Sequence, residues 1–418
     1  MTMRFRWTVR VLAVSAVVFF AALWLRDPGR ARMIDFNSFY MAAQAAREGV
    51  DLYDPAALNG LAAEQGLRMY VFPYLYPPFL AYVTIPWGEL PIERARLVWM
   101  VANLAALFGI VALIALAVGR RLRESPGPGL GPGDLALLFA AVLVFVLPFD
   151  DNVDMGQSNL LVLFFVCLSL FLFSRERPWA SGAALGVAVL LKVSPVVLVL
   201  YFLVRREVRV VLGSILSTAV LAAATLPMGA AGAWARFFAV LPEMSHATAR
   251  KGMFPPGFFP NFSFAGLLSR IFPEDLPTAK AWTFVLLALL AAALAFGMWR
   301  AAGPRAKDLY LLPFLVLMVV SSPFTYLHHV VYVLPGAVLA LTWVWTTFRP
   351  VARVAWVAFL LGAMRLASTN FPEKYGDWDL SPLAGKLATS LNLYTLLLLL
   401  AVSVALATRA LHRRPELT

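Results

Sequence analysis

The sequence predicts an all-α polytopic membrane protein, and three observations predict it. Of the 418 residues, 61% are hydrophobic and 14% charged, whereas a globular domain carries about a quarter charged residues. Stretches nearly free of charge recur from one end of the chain to the other, which is the pattern of many spans and not of a soluble domain with one anchor. The Lys and Arg behind the net charge of +12 collect in short segments between those stretches. That distribution orients loops toward the cytoplasm; it does not call for a nucleic-acid partner.

The first apolar run, 9–25, is too long for a removed signal peptide and has no small-residue cleavage site, so it counts as a span. Basic clusters at the start and at 120–123, 175–177, 205–209, 300–307, 349–353 and 409–414 mark the cytoplasmic side. The outward and inward spans between them are then 9–25, 97–118, 134–149, 158–173, 208–227, 280–299, 309–322, 329–347, 351–366 and 389–408. Residues 179–204 begin and end at basic clusters, and Lys192 and Pro195 interrupt them midway. They therefore read as two short spans, 179–191 and 195–204, with the tip of the hairpin outward, which brings the total to about twelve.

Segment 73–91 is apolar but contains five prolines. It is expected to re-enter the membrane after the first outer loop, because non-helical backbone at that depth needs a protein-lined site. The threading leaves loops 26–72, 228–279 and 367–388 outside, the first with amphipathic stretches at 37–47 and 56–66. Cys167 lies alone inside an apolar run, so neither a disulfide framework nor a cysteine metal site is in view. Walker, GxGxxG and HExxH motifs are absent as well.

Polar side chains at membrane depth are costly, which makes those present candidates for function. Asp35 opens the first loop beside Asn37, Ser38 and Tyr40; the plainer reading is a solvated helix cap. Tyr74 and Tyr76 precede Pro77 and Pro78 and also suit an aromatic belt. The stretch DDNVDMGQSN carries Asp150, Asp151, Asp154, Gln157 and Asn159. Its acids have the spacing of a Ca²⁺ or Mn²⁺ site or of an ordinary turn, but Gln157 and Asn159 continue into the next span, which a turn does not require. Lys192 sits between two apolar halves, cannot easily snorkel, and needs an anion. In SSPFTYLHH, His328 and His329 follow Tyr326; being adjacent, they are expected on different helix faces, one of them as a mere interfacial side chain. The threading puts all these clusters on the outer side, as a cavity between helices would.

Four stretches carry a family likeness: DFNSFYMAAQAAREGVDLYDP, YLYPPFLAYVTIPWGELP, GQSNLLVLFFVCLSL with LLKVSPVVLVLYFLVRR, and SSPFTYLHHVVYVLP. In their order and spacing, over residues 33 to about 335, the chain resembles the polyprenol-phosphate-sugar-dependent glycosyltransferases of family 87, within the GT-C superfamily. The resemblance implies a GT-C fold with a catalytic module at 1–227, an outer loop at 228–279 and C-terminal membrane helices at 280–418. It also implies inverting transfer of a sugar from a polyprenyl-phosphate donor to a hydroxyl of a glycolipid or glycan acceptor, at the periplasmic face of a bacterial inner membrane. Mannose is the first choice of sugar, with arabinose and glucose open.

On that reading Asp35 is the general base. Lys192, with His328 or His329, stabilises the leaving phosphate. Asn37, Tyr40, Tyr76, Asp150, Asp151, Asp154, Gln157, Asn159, Asn261 and Tyr326 are expected to contact substrate. A monophosphate leaving group makes no metal obligatory, and no cofactor is expected. The partners are the two lipid-linked substrates and the membrane, and the chain reads as a monomer. The alternative is a lipid or sugar transporter or flippase, which also holds polar groups near mid-membrane; the lack of an internal repeat speaks against it.

Overall fold

A backbone surrounded by hydrocarbon must satisfy its own hydrogen bonds, and a helix does so within one segment. Among the described residues every regular element is helical. The computed structural model describes residues 31–124, 144–245, 255–258, 260–301, 303–370 and 387–412, with isolated positions near 22–29 and at 385. The span expected at 9–25 and most of that expected at 134–149 lie outside the described residues.

Two helices, α1 (Ile34–Glu48) and α2 (Pro55–Glu64), come first. They match the two amphipathic stretches expected in the first loop. Asp54 caps α2 through a bond from the Ala56 N–H, and Pro55 at its first position needs no partner for a missing N–H. An irregular stretch then leads to α3 (Pro78–Val83) and α4 (Ile85–Gly88). Here the proline-rich segment becomes two short helices, broken where Pro86 removes a helical hydrogen bond. At six and four residues, neither is long enough to cross a membrane.

The long helix α5 (Ile92–Glu124) follows, then α6 (Val146–Met155), α7 (Asn159–Ser174), α8 (Pro178–Leu191), α9 (Val196–Val204) and α10 (Val208–Ala224). Helices α11 (Ala231–Ser245), α12 (Phe264–Ile271), α13 (Leu276–Arg300), α14 (Pro304–Leu309) and α15 (Leu311–Val320) continue the chain. A 3₁₀ segment, Leu327–Val333, runs directly into α16 (Leu334–Thr347), before α17 (Pro350–Ala367) and α18 (Leu391–His412).

Among the described residues, six segments have the length and apolar character to cross a membrane: Ile92–Val118, Val208–Met228, Leu276–Arg300, Leu327–Thr347, Pro350–Ala367 and Leu391–Arg409. Asn159–Ser174 and Pro178–Leu191 are shorter apolar helices. The expected count of about twelve exceeds this, and broken helices explain part of the difference. Of the run expected at 309–322, α15 covers only ten residues, Leu311–Val320, and Tyr310 separates it from α14. Helix α9 has nine residues, or about 14 Å of rise, against a hydrocarbon core of about 30 Å.

The break between α8 and α9 falls at the expected place. Lys192 is extended (φ −160°, ψ 137°), and Pro195 precedes the first turn of α9. Helix α8 packs on α10 through small residues, the usual way for membrane helices to approach closely. A Cβ added to Gly182 would lie 2.3 Å from the Val210 carbonyl oxygen and 2.8 Å from the Ser214 nitrogen. Gly182→Ala should therefore force α8 from α10 and cost about 1–3 kcal/mol, seen as a lower melting temperature in detergent. Gly60→Ala, where an added Cβ meets nothing within 4 Å, is the control and should melt no lower than the parent protein.

Candidate active site

The start of α1 is tied to the end of α6. The Met33 N–H donates to the Asp154 carbonyl at 2.7 Å, and the exposed Arg32 holds the Asp154 carboxylate through its guanidinium. Helix α6 ends at Gly156 in the left-handed region (φ 69°), where an added Cβ would lie 2.7 Å from the Phe36 Cβ. Glycine is needed there for both conformation and space. The Trp99 indole N–H then bonds the Gly156 carbonyl at 2.8 Å and ties α5 to the same turn. These contacts bring Asp35, in the first turn of α1, against residues 150–159.

Asp35 is half-buried and accepts a 2.7 Å hydrogen bond from Gln157 Nε2. The amide of Gln157 is fixed from its other end, where the Tyr76 hydroxyl donates to Oε1 at 3.1 Å. Loss of hydration raises the Asp35 carboxyl above its ordinary value of 3.8, against the opposing pull of His328, the Gln157 bond and Lys192. Aspartate in this state is a better proton acceptor near neutral pH than one in water.

Lys192 approaches from the break between α8 and α9. Its Nζ donates to Asn159 Oδ1 at 2.7 Å and lies 3.0 Å from His329 Nε2, with the Tyr76 ring centroid 5.5 Å away. Asn159 Oδ1 also accepts the Tyr332 hydroxyl at 2.7 Å. His329 Nδ1 accepts the Tyr326 N–H at 3.1 Å. Asp35 and Lys192 act on each other electrostatically, yet each is hydrogen-bonded to a different amide of the same turn. Opposite charges are thus kept near one another but unpaired.

His328 is gripped by α6. Asp151 Oδ2 accepts from the His328 backbone N–H at 3.1 Å and lies 3.0 Å from its ring Nδ1. Asn152 Nδ2 donates to the His328 carbonyl at 2.8 Å. Burial disfavours the Asp151 anion, but the bonds and charge of His328 and the charge of Arg32 outweigh it and hold the carboxyl below 3.8. The two histidine rings are 4.5 Å apart, and Tyr326 lies 5.8 Å from His328. Both histidines are buried, at 5% and 7% exposure. The expectation that one is merely interfacial is corrected: in the 3₁₀ segment their side chains diverge to Asp151 and Lys192, and each finds a partner inside the protein.

The structure thus gathers Asp35, Tyr76, Asp151, Gln157, Asn159, Lys192, Tyr326, His328 and His329. Four other expected substrate contacts, Asn37, Tyr40, Asn261 and Asp154, bond within the protein. Asn37 Oδ1 accepts from Arg96, and the Tyr40 hydroxyl donates to the Leu90 carbonyl. Asn261 is fully buried, donates to the Pro256 and Pro323 carbonyls, and accepts from the Ser263 and Thr325 N–H groups. Asp154 serves Arg32 and the chain crossing, and Asp150 is half-buried nearby. Sequence reasoning missed Tyr332 and Asn152. Tyr332 had a signal, since it stands three residues after His329 in a stretch already singled out, the spacing that aligns side chains in a 3₁₀ turn; Asn152 was hidden among the acids.

The comparisons with known proteins bear on this cluster. A model of glycosyltransferase family 87 matches residues 74–323, more than half of the chain. The chain belongs to glycosyltransferase family 87. It is therefore a glycosyltransferase, and its apolar helices are those of a membrane protein. A polyprenol-phosphate-mannose-dependent α-(1-2)-phosphatidylinositol mannoside mannosyltransferase of Mycobacterium tuberculosis is 29% identical over 312 residues, 73% of this chain and 69% of that protein. A polyprenol-phosphate-mannose-dependent α-(1-2)-phosphatidylinositol pentamannoside mannosyltransferase of Mycolicibacterium smegmatis is 29% identical over 328 residues, 78% of this chain and 73% of that protein. An α-(1->3)-arabinofuranosyltransferase of Mycobacterium tuberculosis matches at 28% over 196 residues, 46% of this chain and 41% of that protein.

A test of the site follows from the Gln157 bond, which favours the carboxylate of Asp35. If the Asp35 anion takes the proton in the reaction, the rate of this family 87 enzyme should fall as pH drops through the raised Asp35 value. Gln157→Met removes the donor and should move that acid limb to still higher pH. Profiles of kcat/KM against pH for the two proteins check this, and an unmoved limb would separate Asp35 from the titration.

Proposed function

We propose that this glycosyltransferase moves mannose from a polyprenyl-phosphate donor to a hydroxyl of a phosphatidylinositol mannoside or similar glycolipid, with inversion at the anomeric carbon. The observation that carries the reading is the pair of opposite charges held apart, Asp35 on Gln157 and Lys192 on Asn159. A structural ion pair would close up. Two charges anchored separately on neutral amides leave a base and an anion receptor for the two ends of a transfer reaction. The names of the relatives support the choice of donor and acceptor.

In this mechanism the acceptor hydroxyl gives its proton to Asp35 as its oxygen attacks the anomeric carbon. The bond from that carbon to the phosphate oxygen breaks on the opposite side, and the phosphate leaves with the electron pair. Lys192 and the two histidines face the charge that develops on it, at a site where little water competes. Tyr76, Gln157, Asn159 and Tyr326 orient these groups and the sugar, and the chain needs no cofactor for the step. The active site faces the periplasm of a bacterial inner membrane, where both lipid-linked substrates are at hand, and the protein works as a monomer.

Purified protein in lipid, given labelled polyprenyl-phosphate mannose and a phosphatidylinositol mannoside, should release polyprenyl phosphate and label the acceptor. Asp35→Asn should slow this by about two to four powers of ten while still binding polyprenyl phosphate. Lys192→Met should weaken that binding as well as turnover. Normal transfer by the Asn variant would remove Asp35 as base, and unchanged lipid affinity in the Met variant would confine Lys192 to the fold.

Sidedness has a separate check. Glu64 and Arg177 are both exposed, and the basic clusters put them on opposite sides of the membrane. With Cys167 replaced by Ala, an impermeant thiol reagent added to spheroplasts should label a cysteine at 64 and spare one at 177. The reverse pattern would turn the active site toward the cytoplasm.

A further inference from the structure

We infer that Asp151 is a positioning residue for His328: it holds the imidazole with Nδ1–H on the carboxylate and presents Nε2 to the departing phosphate. The inference rests on the transfer reaction proposed above and gives the acid-rich end of α6 a task other than binding sugar or metal. A carboxylate only accepts hydrogen bonds. Since Asp151 Oδ2 lies 3.0 Å from His328 Nδ1, that nitrogen must carry the proton. The same oxygen takes the His328 backbone N–H at 3.1 Å, so ring and peptide are fixed from one point. Asn152 completes the grip on the peptide from its other side, at the His328 carbonyl.

The second ring nitrogen is the telling one. His328 is 95% buried, yet its Nε2 has no hydrogen-bond partner. A buried polar atom without a partner carries a free-energy cost, and native structures accept it where a ligand or reaction uses the atom. The charged and titratable groups that meet the ring are Asp151, Asp35, His329 and Tyr326, with Arg32 beyond Asp151 and Lys192 beyond His329. The His328 ring thus interacts electrostatically with Asp35 and lies 4.5 Å from the ring of His329, which in turn reaches Lys192. With a proton on it, Nε2 donates a hydrogen bond to the phosphate oxygen that leaves the anomeric carbon, while Asp151 stabilises the imidazolium. The two carboxylates then have separate duties: Asp35 takes the acceptor's proton, and Asp151 touches no substrate.

A double-mutant cycle with a spectroscopic readout tests this. His328→Ala should lower kcat by about 10²-fold or more, Asp151→Ala by no more than that, and the double variant should be no slower than His328→Ala alone. Asp151→Asn keeps the shape should the Ala variant fail to fold, and its effect should likewise vanish in the absence of His328. In ¹⁵N-histidine solid-state NMR spectra, the resonance lost in His328→Ala should show Nδ1–H in the parent protein and lose that assignment in Asp151→Ala. Effects that multiply in the double variant would overturn the inference, since Asp151 would then act on substrate directly. So would an Nδ1–H resonance that survives Asp151→Ala. If the parent protein transfers no sugar but the NMR result holds, the positioning stands and the proposed reaction fails.

Discussion

Opposite charges brought near one another where little water competes attract, and hydrogen bonds to other groups hold each in its own place. In this protein those bonds are supplied by two amides, Gln157 and Asn159, two residues apart at the start of one helix. Each amide is itself held by a tyrosine: Tyr76 bonds the Gln157 oxygen, and Tyr332 bonds the Asn159 oxygen. The charges of Asp35 and Lys192 are therefore anchored through neutral groups that cannot relax toward each other. The arrangement of the remaining site residues depends on this separation.

It depends in turn on how residues 150–159 are folded. That segment touches the start of α1 through Asp154, the first turns of α5 through Gly156, the break after α8 through Asn159, and the 3₁₀ segment through Asp151 and Asn152. Four elements far apart in sequence meet on it. Gly156 permits the reversal between α6 and α7 because no side chain intrudes on Phe36. Each meeting places one polar group, so the site is a consequence of helix packing more than of any local motif.

The 3₁₀ segment at 327–333 adds a further constraint. Tighter winding spreads consecutive side chains by about 120°, and two adjacent histidines are thereby directed to different partners while their rings stay 4.5 Å apart. The Asp151 carboxylate on one side and the Lys192 amine on the other give two residues of one type different surroundings. Such pairs of like groups in unlike environments are a recurrent route to divided roles in catalysis.

Much of this was legible in the sequence because apolar run length, proline positions and basic clusters are local properties. They set the all-helical membrane class, the break at Lys192, the amphipathic stretches at 37–47 and 56–66 that fold as the helices at 34–48 and 55–64, and the polar clusters worth attention. The family was readable from the order of four stretches, as the match over residues 74–323 bears out. Span number was less so, because hydropathy does not register where a helix such as α14–α15 is interrupted or how short α9 is. The pairing of side chains was not legible at all. Nothing local distinguishes Asn37, which turns to Arg96, from Asn159, which holds Lys192, or Asp154, which holds a chain crossing, from Asp151, which holds a histidine. Sequence determines which polar groups enter the apolar interior, since each side chain brings its own solvation cost; only the tertiary structure decides which partners relieve that cost, because the partners lie from 33 to 177 residues away.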